Sequence, residues 1–289
     1  MKHFDVLAEG LQFPEGPIAC ADGSVLLVEI ARGTLTRVWN GRTEIVCTLG
    51  GGPNGAAFGP DGHVYITNNG GGGMANPEAA HLQAGIDRVD LATGRSERLI
   101  DAVGGHPLSA PNDLVFDRTG GFWFTDFGHE TGRIRHRSGI YYVTAGGQAS
   151  EVSFGGTGYN GIGLSPDETT VYAAETFTGR LIAFDLEAPG KVVKGGRGGR
   201  LVGTAPNRAF LDSLAVQANG DVCVASIRDG ITIVAPDGGI RREAVPDRLT
   251  TNICFGGSDL RDAFITLSQT GRLIRMRWDA PGLRLNYAR

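Results

Sequence analysis

Six polar residues, each just ahead of a short apolar run, are the chain's candidates for chemistry: Glu15, Asn54, Asn112, Asn160, Asp212 and Asn252. Two are carboxylates, four are amides, and no Lys or Arg shares their positions. Carboxylates taken out of water without a counter-charge are costly, so such a set either holds protons or surrounds a cation. Oxygen-only donors suit a hard divalent ion, calcium first and magnesium next, with water completing the shell. The plainer alternative is that each group caps its own strand by bonding backbone N–H groups.

Positions spread over 289 residues meet only if the chain repeats. It does. Pro53-Asn54-Gly55-Ala56-Ala57-Phe58 runs into Gly59-Pro60-Asp61-Gly62, and Asn160-Gly161-Ile162-Gly163-Leu164 runs into Ser165-Pro166-Asp167. Leu211-Asp212-Ser213-Leu214-Ala215-Val216 likewise precedes Gln217-Ala218-Asn219-Gly220. A second strand follows each turn, such as Phe122-Trp123-Phe124-Thr125-Asp126, and glycine turns such as Phe177-Thr178-Gly179-Arg180 separate further strands. Helical periodicity is absent. Units of roughly 40–60 residues with four short strands are propeller blades. Six of them predict an all-β, six-bladed β-propeller, a single domain over residues 1–289. Inner strands begin at the central channel, so the six leading residues should form a ring there. The last unit lacks an outer strand, which Phe4-Asp5-Val6-Leu7 is expected to supply, closing the ring.

Composition agrees and excludes other classes. Glycine, at 46 residues without collagen's period, marks many tight turns. With 41% hydrophobic and 20% charged residues there is material for a core. A net charge of −4 gives no reason to expect nucleic acid or anionic lipid as a partner. No apolar run approaches membrane-spanning length, and the start of the chain has no secretory signal, so a cytoplasmic protein is expected. Cys20, Cys47, Cys223 and Cys254 are scattered without a CxxC pair, which favours free thiols. The glycine-rich stretch from Lys191 to Arg200 lacks a GK[ST] ending and reads as a solvated hairpin. The expected partner is a small molecule, with the protein a monomer or small homo-oligomer.

These segments resemble the senescence marker protein/gluconolactonase/luciferin-regenerating enzyme family along nearly the whole chain. The carriers are Pro14-Glu15-Gly16-Pro17, Pro111-Asn112-Asp113 with Gly121-Phe122-Trp123-Phe124-Thr125-Asp126, and Asn160 to Asp167. Leu211 to Val216 and Cys254-Phe255-Gly256-Gly257-Ser258-Asp259-Leu260 complete the series. The resemblance implies a propeller with one divalent ion at its axis, calcium foremost, with magnesium, manganese or zinc as alternatives. It implies Glu15, Asn160 and Asp212 as metal ligands, and Asn112 as a fourth ligand or a substrate contact. It also implies Asp212 as general base in opening a lactone. Phosphotriester hydrolysis, a non-hydrolytic isomerase or lyase step, and a non-catalytic calcium-binding propeller remain alternatives. One departure matters: where the family's sugar lactonases carry Arg, two residues before Asn112, this chain has Ala110. That weakens the case for an aldonolactone and leaves room for a less polar lactone or ester.

Around this ring, Asn54, Asp126 and His129 are expected substrate contacts, with His106 a weaker candidate beside the third repeat. The ends of the second strands, Glu29, Asn68, Asp126, Glu175 and Ser226, either line the pocket or bond turns in their own blades. Ser165, Ser213 and Ser226 lack a nucleophile motif with a partner His, which argues against a Ser-His-Asp hydrolase. The insertion from Asn68 to His81 is either a lid over the axis or a surface loop.

Overall fold

The computed structural model describes residues 2–71 and 82–289. Six four-stranded antiparallel sheets are arranged as the blades of a propeller, the fourth widened by a short extra strand, Lys191–Val192. Their inner strands are Pro14–Ala19, Pro53–Phe58, Pro111–Phe116, Tyr159–Leu164, Phe210–Val216 and Thr250–Gly256. Each inner strand packs against the next, and the sixth packs against the first. No α-helix occurs among the described residues; single 3-10 turns lie at Gly196–Gly198 and Pro206–Arg208.

Packing between blades explains the cohesion. Second strands are apolar on both faces: Val25–Glu29 and Phe122–Asp126 are buried throughout. Between the third and fourth blades, Trp123, Tyr142, Tyr159, Ile162 and Phe184 form one cluster. Between the fifth and sixth, Cys223, Ile231, Ile253, Ile265 and Met276 form another. The sixth sheet holds the first and last strands, because Phe4–Ala8 pairs antiparallel with Arg272–Arg277 through Phe4 with Met276 and Val6 with Ile274.

Beyond Arg277 the chain crosses the face where the inner strands end. Leu283 N–H donates to the Val216 carbonyl at 2.8 Å, and Asn286 Nδ2 donates to the Phe116 carbonyl at 3.2 Å and to Glu168 Oε1 at 2.6 Å. Ala21 N–H donates to the Arg289 carbonyl at 2.6 Å. The tail thus ties the fifth, third and first blades together across the channel mouth. A cavity of about 230 Å³ lies between this tail and the ring residues, touching Asp113 and Asn252 and walled by Leu114, Ile162 and Leu214.

One feature sits differently from the expectation. Asn68 ends the second strand of blade two, Val64–Asn68, instead of opening the insertion. The proposed lid from Asn68 to His81 falls mostly on residues 72–81, which lie outside the described residues. The stretch after Lys191 is largely exposed, as a solvated connection requires.

Candidate active site at the axis

Every inner strand is interrupted at its leading residue. Register shifts fall between Glu15 and Ile18, Pro53 and Ala56, Pro111 and Leu114, Tyr159 and Ile162, Leu211 and Leu214, and Thr250 and Asn252. A bulge bends the strand and re-aims a side chain, and six bulges at one level turn six side chains to the channel. The backbone freed by the bulge finds threonine. Thr67 Oγ1 donates to the Asn112 carbonyl at 2.5 Å and accepts from Gly55 N–H at 2.7 Å. Thr125 repeats this one blade on, donating to the Asn160 carbonyl at 2.5 Å and accepting from Asp113 N–H at 3.2 Å. Buried backbone groups are therefore satisfied, and adjacent blades are joined at the height of the ring.

Glycine at the next position permits this closeness. A Cβ on Gly55 would lie 2.7 Å from the Asn112 carbonyl oxygen, and one on Gly161 would lie 2.8 Å from the Asp212 carbonyl oxygen. Blade three breaks the pattern with Asp113, whose Oδ1 occupies the space beside Gly55 that a side chain there would fill.

The side chains brought together are Glu15, Asp113, Asn160, Asp212, Ser213 and Asn252, all buried. Glu15 Oε2 accepts from Asn252 Nδ2 at 2.8 Å and from Gly16 N–H at 3.0 Å. Ser213 Oγ lies 3.5 Å from Asn160 Oδ1, and Asp113 Oδ1 accepts from Leu114 N–H at 3.0 Å. No Lys, Arg or His is ion-paired to these acids among the described residues. Burial pushes the Asp212 carboxyl up to about 7, with the neighbouring Asp113 adding to it and the Asn160 amide opposing it. Burial likewise pushes Asp113 up to about 7. Glu15 is raised well above the usual carboxylate range by burial and then by Asp212. Asn112 Oδ1 is buried without a hydrogen-bond partner. Three mutually repelling acids, with the Asn160 and Asn252 amides beside them, form an oxygen-lined recess with no cationic side chain paired to it among the described residues. Among the described residues no three His, Cys, Asp or Glu side chains form a metal cluster, so amides must complete any donor set.

The remaining candidates sit outside this group. Asp126 has both oxygens engaged, Oδ2 by Ser109 N–H at 2.7 Å and Oδ1 by the N–H groups of Ala110 at 2.8 Å and Gly128 at 3.0 Å. It anchors the loop that delivers Asn112. Glu29 does the same for Gln12 N–H at 2.6 Å, Asn68 for Gly52 N–H at 3.0 Å, and Glu175 for Thr157 N–H at 2.7 Å. Ser226 bonds Thr232, 2.7 Å away in its own sheet. The turn-bonding alternative thus describes Glu29, Asn68, Asp126 and Glu175, while Ser226 bonds within its own sheet. His129 is half-buried and donates its backbone N–H to Ser109 Oγ at 3.0 Å, while His106 is exposed. The Asn54 side chain is buried at the ring's level, and its carbonyl oxygen lies against Gly16.

Asp113 and Ser213 are the additions that sequence reasoning passed over. Their signal was present: Glu15, Asn54 and Asn160 are each followed by Gly, whereas Asn112 and Asp212 are followed by polar side chains.

Residues 13–269 match the model of the SMP-30/Gluconolactonase/LRE-like region. The chain belongs to this family. A gluconolactonase of Zymomonas mobilis subsp. mobilis is 24% identical over 302 residues, covering 94% of this chain and 80% of that protein. A 6-deoxy-6-sulfogluconolactonase of Pseudomonas putida is 29% identical over 203 residues, covering 66% of this chain and 65% of that protein. Among solved structures, the calcium-binding protein regucalcin of Agrobacterium tumefaciens superposes with a TM-score of 0.78 at 23% identity, covering 98% of each chain. A gluconolactonase of Xanthomonas campestris gives 0.79 at 20% identity, covering 96% of this chain and 89% of the other. At these identities the structural likeness speaks for the fold alone.

Proposed function

We propose that this protein is a divalent-metal-dependent hydrolase that opens a lactone at the propeller axis. The observation that carries the reading is the group of Glu15, Asp113 and Asp212, three buried acids held together without a cation. Glu15, Asn160 and Asp212 are the proposed ligands, with Asn112 Oδ1 turned from an orphan into a fourth donor or a substrate contact. Calcium suits the all-oxygen donors best. When bound, the ion supplies a Lewis acid for the carbonyl oxygen and acidifies water.

The chain's own residues do the rest. Asp212 takes the proton from the attacking water and returns it to the ring oxygen that leaves. Asn160 holds Asp212 in orientation through its amide. Asn252 and Gly16 hold Glu15 so that its free oxygen faces the channel. Asp113, the neighbouring acid, raises the Asp212 carboxyl further. Asn54 and His129 are proposed contacts for the substrate's rim, and Asp126 positions Asn112 through the loop it anchors.

The reading extends to the molecule as a whole: one propeller domain over residues 1–289, with Phe4–Ala8 as the seam that completes blade six. Free thiols at all four cysteines favour a reducing, cytoplasmic compartment. The test is a lactone panel followed by pH indicator, on chelated protein with and without calcium, magnesium, manganese or zinc. Turnover restored by one ion supports the proposal. Bound metal with no lactone opened refutes it.

A further inference from the structure

Three phenylalanines from successive blades line up on the face where the inner strands begin. Phe127 follows Asp126 at the end of the second strand of blade three, and its N–H donates to the Ala110 carbonyl at 2.9 Å. Phe177 lies just past Glu175 in blade four, and Phe210 opens the inner strand of blade five, two residues before Asp212. Ring centroids are 5.3 Å apart for Phe127 and Phe177, and 6.3 Å apart for Phe177 and Phe210. Gly158, two residues before Asn160, lies directly against them: a Cβ there would come within 2.7 Å of Phe177 and 3.1 Å of Phe127.

This row is not core. Phe210 is 38% exposed, and Phe127 and Phe177 are half-buried. A small hairpin, Glu130–Thr131 with Ile134–Arg135, reaches over from blade three. It sets the Arg135 guanidinium 3.5 Å from the Phe177 ring centre. Ala110 adds a buried methyl to the loop that Asp126 anchors. The row runs along one face of blades three to five, with Phe210 two residues before Asp212 and Gly158 two residues before Asn160.

We propose that this row is the substrate-binding wall of the site, and that the ester opened there is a lactone bearing an apolar alkyl or aryl substituent. The inference rests on the lactonase reading above. A polyhydroxylated lactone needs a hydrogen-bonding partner for each hydroxyl it buries, and three phenyl faces offer none. An alkyl chain gains from the same surface, by about 3–4-fold in affinity for each methylene covered. Arg135 caps one side of Phe177 and is itself ion-paired with Glu130, so the row's edge is charge-balanced.

The experiment compares kcat/KM of the metal-loaded protein on γ-lactones from butyrolactone to decanolactone and on glucono-1,5-lactone. Expected is a rise of about 3–4-fold per methylene over the first carbons, carried by KM more than by kcat. Phe177→Ala and Phe210→Ala should each lower the decanolactone-to-butyrolactone ratio by about tenfold, and Phe177→Leu should restore most of it. Circular dichroism and Tm establish that the variants are folded. A flat series, a preference for gluconolactone, or a ratio untouched by both alanine variants overturns the wall. A second arm measures binding of 4-hydroxydecanoate by calorimetry. Hydrolysis of no lactone, with Phe177-dependent binding of this acid, refutes the reaction and supports the wall. Absence of both refutes both.

Discussion

Replacing Asp212 by Asn in the chelated protein should raise its stability at pH 8 while abolishing turnover. The sign follows from the folded carboxyl being raised from its ordinary value of 3.8 to about 7, chiefly by burial. A group raised in this way contributes stability that is complete below the unfolded pKa and is lost as pH climbs through the folded one. Between pH 4 and pH 8 the metal-free wild type should therefore weaken, as Asp212 and Asp113 ionise against each other and against Glu15. A displacement of about three units corresponds to about 4 kcal/mol at most, and water entering the channel lowers it. Asn removes the charge and keeps the shape. In a chain of this size the gain should appear as a rise in Tm of about 5–8 °C in chelator at pH 8, shrinking to nothing near pH 4. Saturating calcium should reverse the order, stabilising the wild type and lifting the variant far less. The assay is a thermal melt of both proteins from pH 4 to 9, with chelator and with calcium. A variant less stable than wild type at pH 8 in chelator would refute the reasoning, because it would mean the carboxylate is already compensated.

Three further outcomes follow from particular contacts. Gly55→Ala should cost at least about 2 kcal/mol in denaturant melts and depress turnover, because its Cβ would meet the Asn112 carbonyl and Asp113 at 2.7 Å. Asp126→Ala, which orphans the N–H groups of Ser109, Ala110 and Gly128, should cost about 2–4 kcal/mol and raise KM through a displaced Asn112; an unchanged melt would count against the loop-anchor role. Deleting residues 282–289 removes the ties to Val216, Phe116 and Ala21, so Tm should fall by several degrees, on the order of 2–3 kcal/mol; a tail doing no bracing would leave it unmoved.

The chain's repeat was enough to specify six blades and to name the leading residue of each, because a propeller converts equal spacing in sequence into a ring in space. Strand alternation, glycine turns and the polar residue ahead of each apolar run are local signals, and they predicted the inner strands to within a residue or two. The repeat put Glu15, Asn54, Asn112, Asn160, Asp212 and Asn252 at equivalent positions, and the family resemblance singled out four of them as the proposed ligands. What the sequence by itself left open was partnership. Glu29, Asn68, Asp126 and Glu175 occupy one repeated position and could equally have faced the pocket; only the fold shows their oxygens spent on the N–H groups of the loops entering their own blades. Asp113 was hidden because its role depends on Gly55 of the preceding blade leaving room for it, a contact across 58 residues. The aromatic row needed tertiary structure most. Phe127, Phe177 and Phe210 fit no common pattern along the chain, and they meet because neighbouring blades set the ends of separate strands side by side. Periodicity determines where strands go, whereas contacts between blades decide which side chains are free to act.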